Sequence, residues 1–130
     1  MIEQTELIVT EWYYHPPSQP VAPGKNITQS ISLDVMKKRA GTKKGLACRF
    51  SCRFTLANET ILEYVGEDSY VIDLADRIDK AELLTMIRNS YSKFKEKFEF
   101  KKLGTVLRDK SLLPFDETKH DLNPVLELLH

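Results

Sequence analysis

The chain has 130 residues and 15.0 kDa, with 19 Lys and Arg against 19 Asp and Glu, zero net charge and a pI near 6.8. That balance leaves no electrostatic argument for nucleic acid or an anionic membrane as partner, and the size suits a single domain over residues 1–130 with a modest core. No apolar run reaches the roughly 18 residues of a membrane span, and MIEQTELIVTEW lacks the basic start of a signal peptide, so a cytoplasmic protein is expected.

In chain order, the first predicted strand covers about residues 6–15. Its core, ELIVTEWYYH, is apolar on both parities: Leu7, Val9 and Tyr13 oppose Ile8, Trp12 and Tyr14, so both faces want cover. Pro16 to Gly24 holds four prolines and a glycine, which excludes helix and central strand and implies a loop or an edge crossing. A second strand, about 27–38, sets Ile27, Ile31, Leu33 and Val35 against Thr28, Ser30, Ser32 and Asp34. Its tail, MKKRAGTKKG, reads as a hairpin whose cations, Lys37, Lys38, Arg39, Lys43 and Lys44, are expected to be solvated and to deter edge pairing.

The third strand, about 45–56, contains LACRFSCRFTL. Leu46, Cys48, Phe50, Cys52, Phe54 and Leu56 share one parity, so both cysteines point inward with the large apolar groups. Four strand residues separate their Cα atoms by roughly 13 Å, well beyond the reach of a disulfide. Their spacing and the distant His15, His120 and His130 argue against a metal site. Two unpaired core thiols also suit a reducing compartment. Ala57-Asn58-Glu59 then turns the chain into a fourth strand, about 60–73, where Gly66 is expected to mark a bulge.

Asp79 and Glu82 form a cap-and-return pair opening a helix over about 80–103. Leu84, Ile87, Tyr91, Phe94 and Phe98 follow at steps of three and four, which predicts a stripe lying on the sheet. Leu83, Met86, Phe100 and Leu103 fall off that stripe and imply a second packing surface; Leu83, Met86 and Leu103 are candidates for a subunit interface. Lys93, Lys95, Glu96, Lys97, Glu99, Lys101 and Lys102 read as a solvated face. In the remaining segment, 104–130, Asn123 is expected to cap a terminal helical turn, with Pro124 in first position and Val125, Leu126, Leu128 and Leu129 as its apolar side. The expected fold is therefore α+β, a four-stranded antiparallel sheet in β-β-β-β-α order with a long C-terminal helix on one face.

No constellation points to catalysis. Glu63, Glu67, Asp68, Asp73, Asp76 and Asp79 crowd one region, but they flank a strand exit and a helix start and are expected to be solvated. His120-Asp121 is adjacent in sequence, which gives no useful base-and-orienter geometry. The chain is read as a non-enzyme with no cofactor and no metal.

The order of elements resembles the SecB family of export chaperones. The residues that carry the likeness are Glu11-Trp12 with the prolines after it, Leu33-Asp34-Val35, the strand Arg49 to Leu56, the Glu59-Thr60 turn, TILEYVGEDSYVID, and Tyr91-Ser92-Lys93-Phe94 in the helix. Pro114-Phe115 and Asn123-Pro124-Val125-Leu126 resemble the closing segment of that family. The likeness implies a homo-oligomer, a dimer or tetramer, that binds unfolded polypeptide along aromatic grooves without ATP. It suggests Trp12, Tyr13, Tyr14, Phe98, Phe100 and Phe115 as groove residues. The family's acidity, through which it docks the SecA motor, is missing here, and Glu11 alone stands at a comparable position. Two further readings remain open: an interaction module for one folded partner, and a small-ligand-binding α+β domain.

Overall fold

The computed structural model describes residues 2–4, 6–18, 27–40, 43–73, 77–116 and 122–129, with side chains throughout except at 2–4, 38–40 and 128–129. The proline-rich connection beyond Ser18, the hairpin tip at 41–42, Asp76, the His120-Asp121 pair, His130, and the side chains of Lys38, Arg39, Leu128 and Leu129 lie outside that description.

Five strands make one antiparallel sheet: β1 (Ile2–Gln4), β2 (Ile8–Tyr14), β3 (Thr28–Ala40), β4 (Lys43–Leu56) and β5 (Glu59–Asp73). The long strands run in the order β2-β5-β4-β3, and β1 extends the edge ahead of β2, pairing Ile2 to Gln4 with Ile72 to Tyr70. Helix α1 (Lys80–Lys101), a 3-10 turn (Lys102–Gly104) and a short helix α2 (Asn123–Leu129) follow. The four expected strands and the long helix are all present, so the fold is α+β, as the periodicities imply.

Strand β4 carries the core. Leu46, Cys48, Phe50, Cys52 and Phe54 are buried while Arg49, Ser51 and Arg53 line the opposite face, so both cysteines are free and internal. Above them α1 lays Phe94 and Phe98: Tyr64 stacks on Phe94 with centroids 4.1 Å apart, and Phe54 stacks on Phe98 at 5.5 Å. The Ala57-Asn58 turn, with φ of 50° and 65°, joins β4 to β5, whose pairing shifts by one residue between Thr55 and Phe54. The α1 cap forms as expected, Glu82 N–H donating to Asp79 Oδ1 at 2.8 Å.

Several expectations are corrected. The helix is turned relative to the expected stripe: Leu83, Met86, Ile87, Ser90, Tyr91, Phe94 and Phe98 are buried, and Leu84 is half-buried. Leu83 and Met86 are thus buried in the chain's own core. The bulge lies in β2, where the pairing shifts between Val9 and Glu11, opposite Gly66 and Val65. Gly66 serves a different need, since a Cβ there would sit 2.8 Å from Phe94 Cδ1.

Three charged side chains expected in solvent are buried. Asp68 faces the helix on the parity of Tyr64 and Tyr70, where it accepts from Ser90 Oγ at 2.8 Å and meets Lys93 Nζ at 3.4 Å. Lys102 donates to the Lys110 carbonyl at 2.6 Å and pairs with Glu99, which fastens the chain after α1. Lys44 is buried too, because its parity on β4 is that of the core face. At the C-terminus the last helix opens one residue earlier than expected, Leu126 N–H donating to the Leu122 carbonyl.

Candidate functional site

The bulge in β2 decides what the edge of the sheet presents. Glycine and tyrosine on β5 at positions 66 and 64 face the helix, so their partners Val9 and Trp12 face it as well, and Tyr14 follows Trp12. One inserted residue, Thr10, thereby brings Val9, Trp12 and Tyr14 to the same side although their parities differ. Ile8, Glu11 and Tyr13 turn to the outer face. The apolar character of both parities was the sequence signal for this arrangement, but parity alone could not say which residue the bulge would skip.

Trp12 sets its edge against Tyr64, with centroids 5.3 Å apart and planes at 70°, and lies 6.4 Å from Phe98. Lys101 Nζ stands over the Trp12 ring, 5.5 Å from its centroid. The Tyr14 hydroxyl accepts from Val106 N–H at 3.1 Å, which ties the segment after α1 to the β2 edge. Beside these residues an exposed apolar strip runs off the end of the helix: Phe100 is 73% exposed, Leu103 59% and Val106 41%. At the other end, Phe100, Leu7 and Lys97 line a shallow open groove of about 550 Å³ along β2. Lys97 meets the exposed Glu6 at 3.8 Å across it.

The six expected groove residues therefore divide. Trp12 and Tyr14 lie on the helix side of β2, Trp12 against the fully buried Phe98, while Phe100 lines the groove at the start of β2 beside Leu7 and Val9. Tyr13, 54% exposed, points to the opposite face of the sheet. Phe115 packs on Tyr91 at the other flank of α1, where Gln29 of β3 brackets the chain by accepting from Leu113 N–H and donating to the Ser111 carbonyl. Leu103 belongs to the exposed strip. Val106, Lys97 and Lys101 complete the site and were not singled out from the sequence, because Val106 lies past the helical repeat and the lysines read as solvation.

The outer sheet face is polar. Arg49, Arg53, Ser30, Ser51, Glu11 and Glu63 surround a shallow depression of about 430 Å³, with Arg53 bonded to Glu63 at 2.9 Å. Nucleophilic chemistry finds no support in the thiols: burial pushes Cys48 and Cys52 up to about 12, which keeps both protonated and unreactive near neutrality. Among the described residues, no three His, Cys, Asp or Glu side chains gather where they could hold a metal ion, and no helix is long and apolar enough to cross a membrane.

A four-strand antiparallel sheet carrying one long helix, with a broken edge strand before it and a short terminal helix after it, is a SecB-like fold. Among solved structures, a SecB-like chaperone from Mycobacterium tuberculosis, in complex with a ChAD peptide from an antitoxin, is similar with a TM-score of 0.61 and 13% identity. The match covers 89% of this chain and 91% of that one. A protein of unknown function from Streptococcus agalactiae gives a TM-score of 0.47 at 9% identity, covering 89% and 97%. No family model matches the sequence, and no curated protein matches it.

Proposed function

We propose that this chain, acting as one domain over residues 1–130, is a non-catalytic SecB-like binder of unfolded or non-native polypeptide, working as a cytoplasmic homo-oligomer. The observation that carries the reading is the exposure of Phe100, Leu103 and Val106 at the end of α1 and just past it, with Phe100 lining the groove along β2, a strand that pairs only with β5 among the described residues. An unpaired strand edge offers backbone donors and acceptors to an extended segment, and neighbouring apolar side chains offer its alternate residues a place to be buried. The peptide bound by the mycobacterial SecB-like chaperone is in keeping with such a partner. Nothing in the mode requires a nucleophile, a cofactor or a nucleotide.

The reading is tested by the fluorescence anisotropy of a labelled, permanently unfolded polypeptide titrated with the protein. Two large apolar side chains withdrawn from water contribute several kcal/mol, so Phe100→Asp with Leu103→Asp is expected to weaken binding at least about tenfold. Tyr13→Asp, on the outer face, should leave it unchanged. Absence of binding by the wild-type protein, or equal loss from Tyr13→Asp, contradicts the proposal.

A further inference from the structure

The groove along β2 has charge as well as apolar surface. Lys93, Lys97 and Lys101 stand at four-residue steps on the flank of α1 that faces β2. Three contacts fix this: Lys93 reaches Asp68 on β5, Lys97 reaches Glu6 just before β2, and Lys101 covers Trp12 within it. From Lys80 to Gly104 the helix and its terminal turn carry seven basic and three acidic side chains, a net of +4 in a chain whose total is zero. Lys93 is engaged by a buried carboxylate, whereas Lys97 pairs with Glu6, which is 88% exposed at its side chain, and Lys101 rests on an aromatic face. Those two cations are available to an incoming chain.

Their spacing matches an extended peptide. Four helical residues advance about 6 Å, and two residues of a strand advance about 6.7 Å. A peptide laid along β2 turns every second side chain towards the helix face, where Phe100, Trp12, Lys97 and Lys101 all stand, so successive helix-facing residues pass these groups at nearly the same interval.

We infer that this site selects polypeptide segments in which acidic and apolar residues share one set of alternate positions, Lys97 and Lys101 being the residues that set the preference. The inference rests on the polypeptide-binding reading above and names its substrate class. The acidic peptide displaces Glu6 from Lys97, an exchange that costs little because that pair is exposed. Basic segments meet Lys97 and Lys101 as like charges and are disfavoured.

The test uses the full chain and three short peptides in which one set of alternate positions carries leucine and phenylalanine followed by two Asp, two Asn or two Lys, the intervening positions being serine throughout. At low salt the Asp peptide is expected to bind about tenfold more tightly than the Lys peptide, with the Asn peptide between them, and added salt should shrink the gap. In Lys97→Gln with Lys101→Gln the Asp and Lys peptides should converge to within about twofold of each other. A Lys peptide that binds as well as the Asp peptide, or a preference that survives the double substitution, overturns the inference and leaves polypeptide binding standing. Failure of the Asn peptide to bind overturns both.

Discussion

Gly66 shows how closely the two layers approach. With Phe94 stacked on Tyr64 and its Cδ1 2.8 Å from where a Cβ would be, the ring has little room to withdraw. Gly66→Ala is expected to destabilise the protein by about 1–3 kcal/mol through overpacking, read from the shift in urea midpoint. The thiols give a second residue-level expectation. Burial raises Cys48 and Cys52 from an ordinary value of 9.0 to about 12, so between these values the folded protein holds protons that the unfolded chain releases. Their contribution to stability is complete below pH 9 and is lost as pH rises towards 12. Denaturation midpoints followed across that range should fall, and Cys48→Ala with Cys52→Ala should start lower but fall less steeply; Tyr64, Tyr70 and Tyr91, also raised by burial, supply the slope that remains. The inward placement of both cysteines was legible from period two alone. The role of Gly66 was not, since a close approach between layers leaves no trace in the local pattern.

Among the elements, α1 was legible in extent and start but not in rotation. The apolar spacing through Tyr91, Phe94 and Phe98 is unambiguous, yet in the first two turns Leu83, Leu84, Met86 and Ile87 fit two overlapping stripes. The buried carboxylate of Asp68 helps choose between them. It draws Ser90 and Lys93 towards β5, and the Tyr70 hydroxyl closes the group by donating to the Met86 carbonyl at 2.8 Å, so Leu83 and Met86 turn inward with Ser90. An acid and a serine read as surface in sequence because their partners lie 22 residues apart. Asp79 is a simpler device. Removing its carboxylate leaves the Glu82 N–H without its cap, and Asp79→Ala should cost about 1 kcal/mol, measured as a lowered thermal midpoint with the same native circular dichroism.

At the scale of the whole molecule, the sheet separates two faces of different character. The outer face carries Arg49, Arg53, Glu11 and Glu63 at its middle, with Ile8 and Tyr13 exposed along β2, while the helix face is filled except where α1 runs out beside the β2 edge. The polypeptide-binding reading depends on that place, where Val106 meets Tyr14, Lys101 covers Trp12 and Phe100 lines the groove beside Leu7 and Val9. The four long strands and α1 were legible one by one in the sequence and β1 was not; the convergence was not either, because it depends on a single inserted residue in β2 and on a hydrogen bond between residues 92 apart. Hydrogen–deuterium exchange of the protein with and without a saturating unfolded polypeptide tests the central claim most directly. New protection should be confined to the backbone amides of Ile8–Tyr14 and of residues 100–107; protection on the outer strands' exposed edge at β3 instead, or none at saturation, would contradict it.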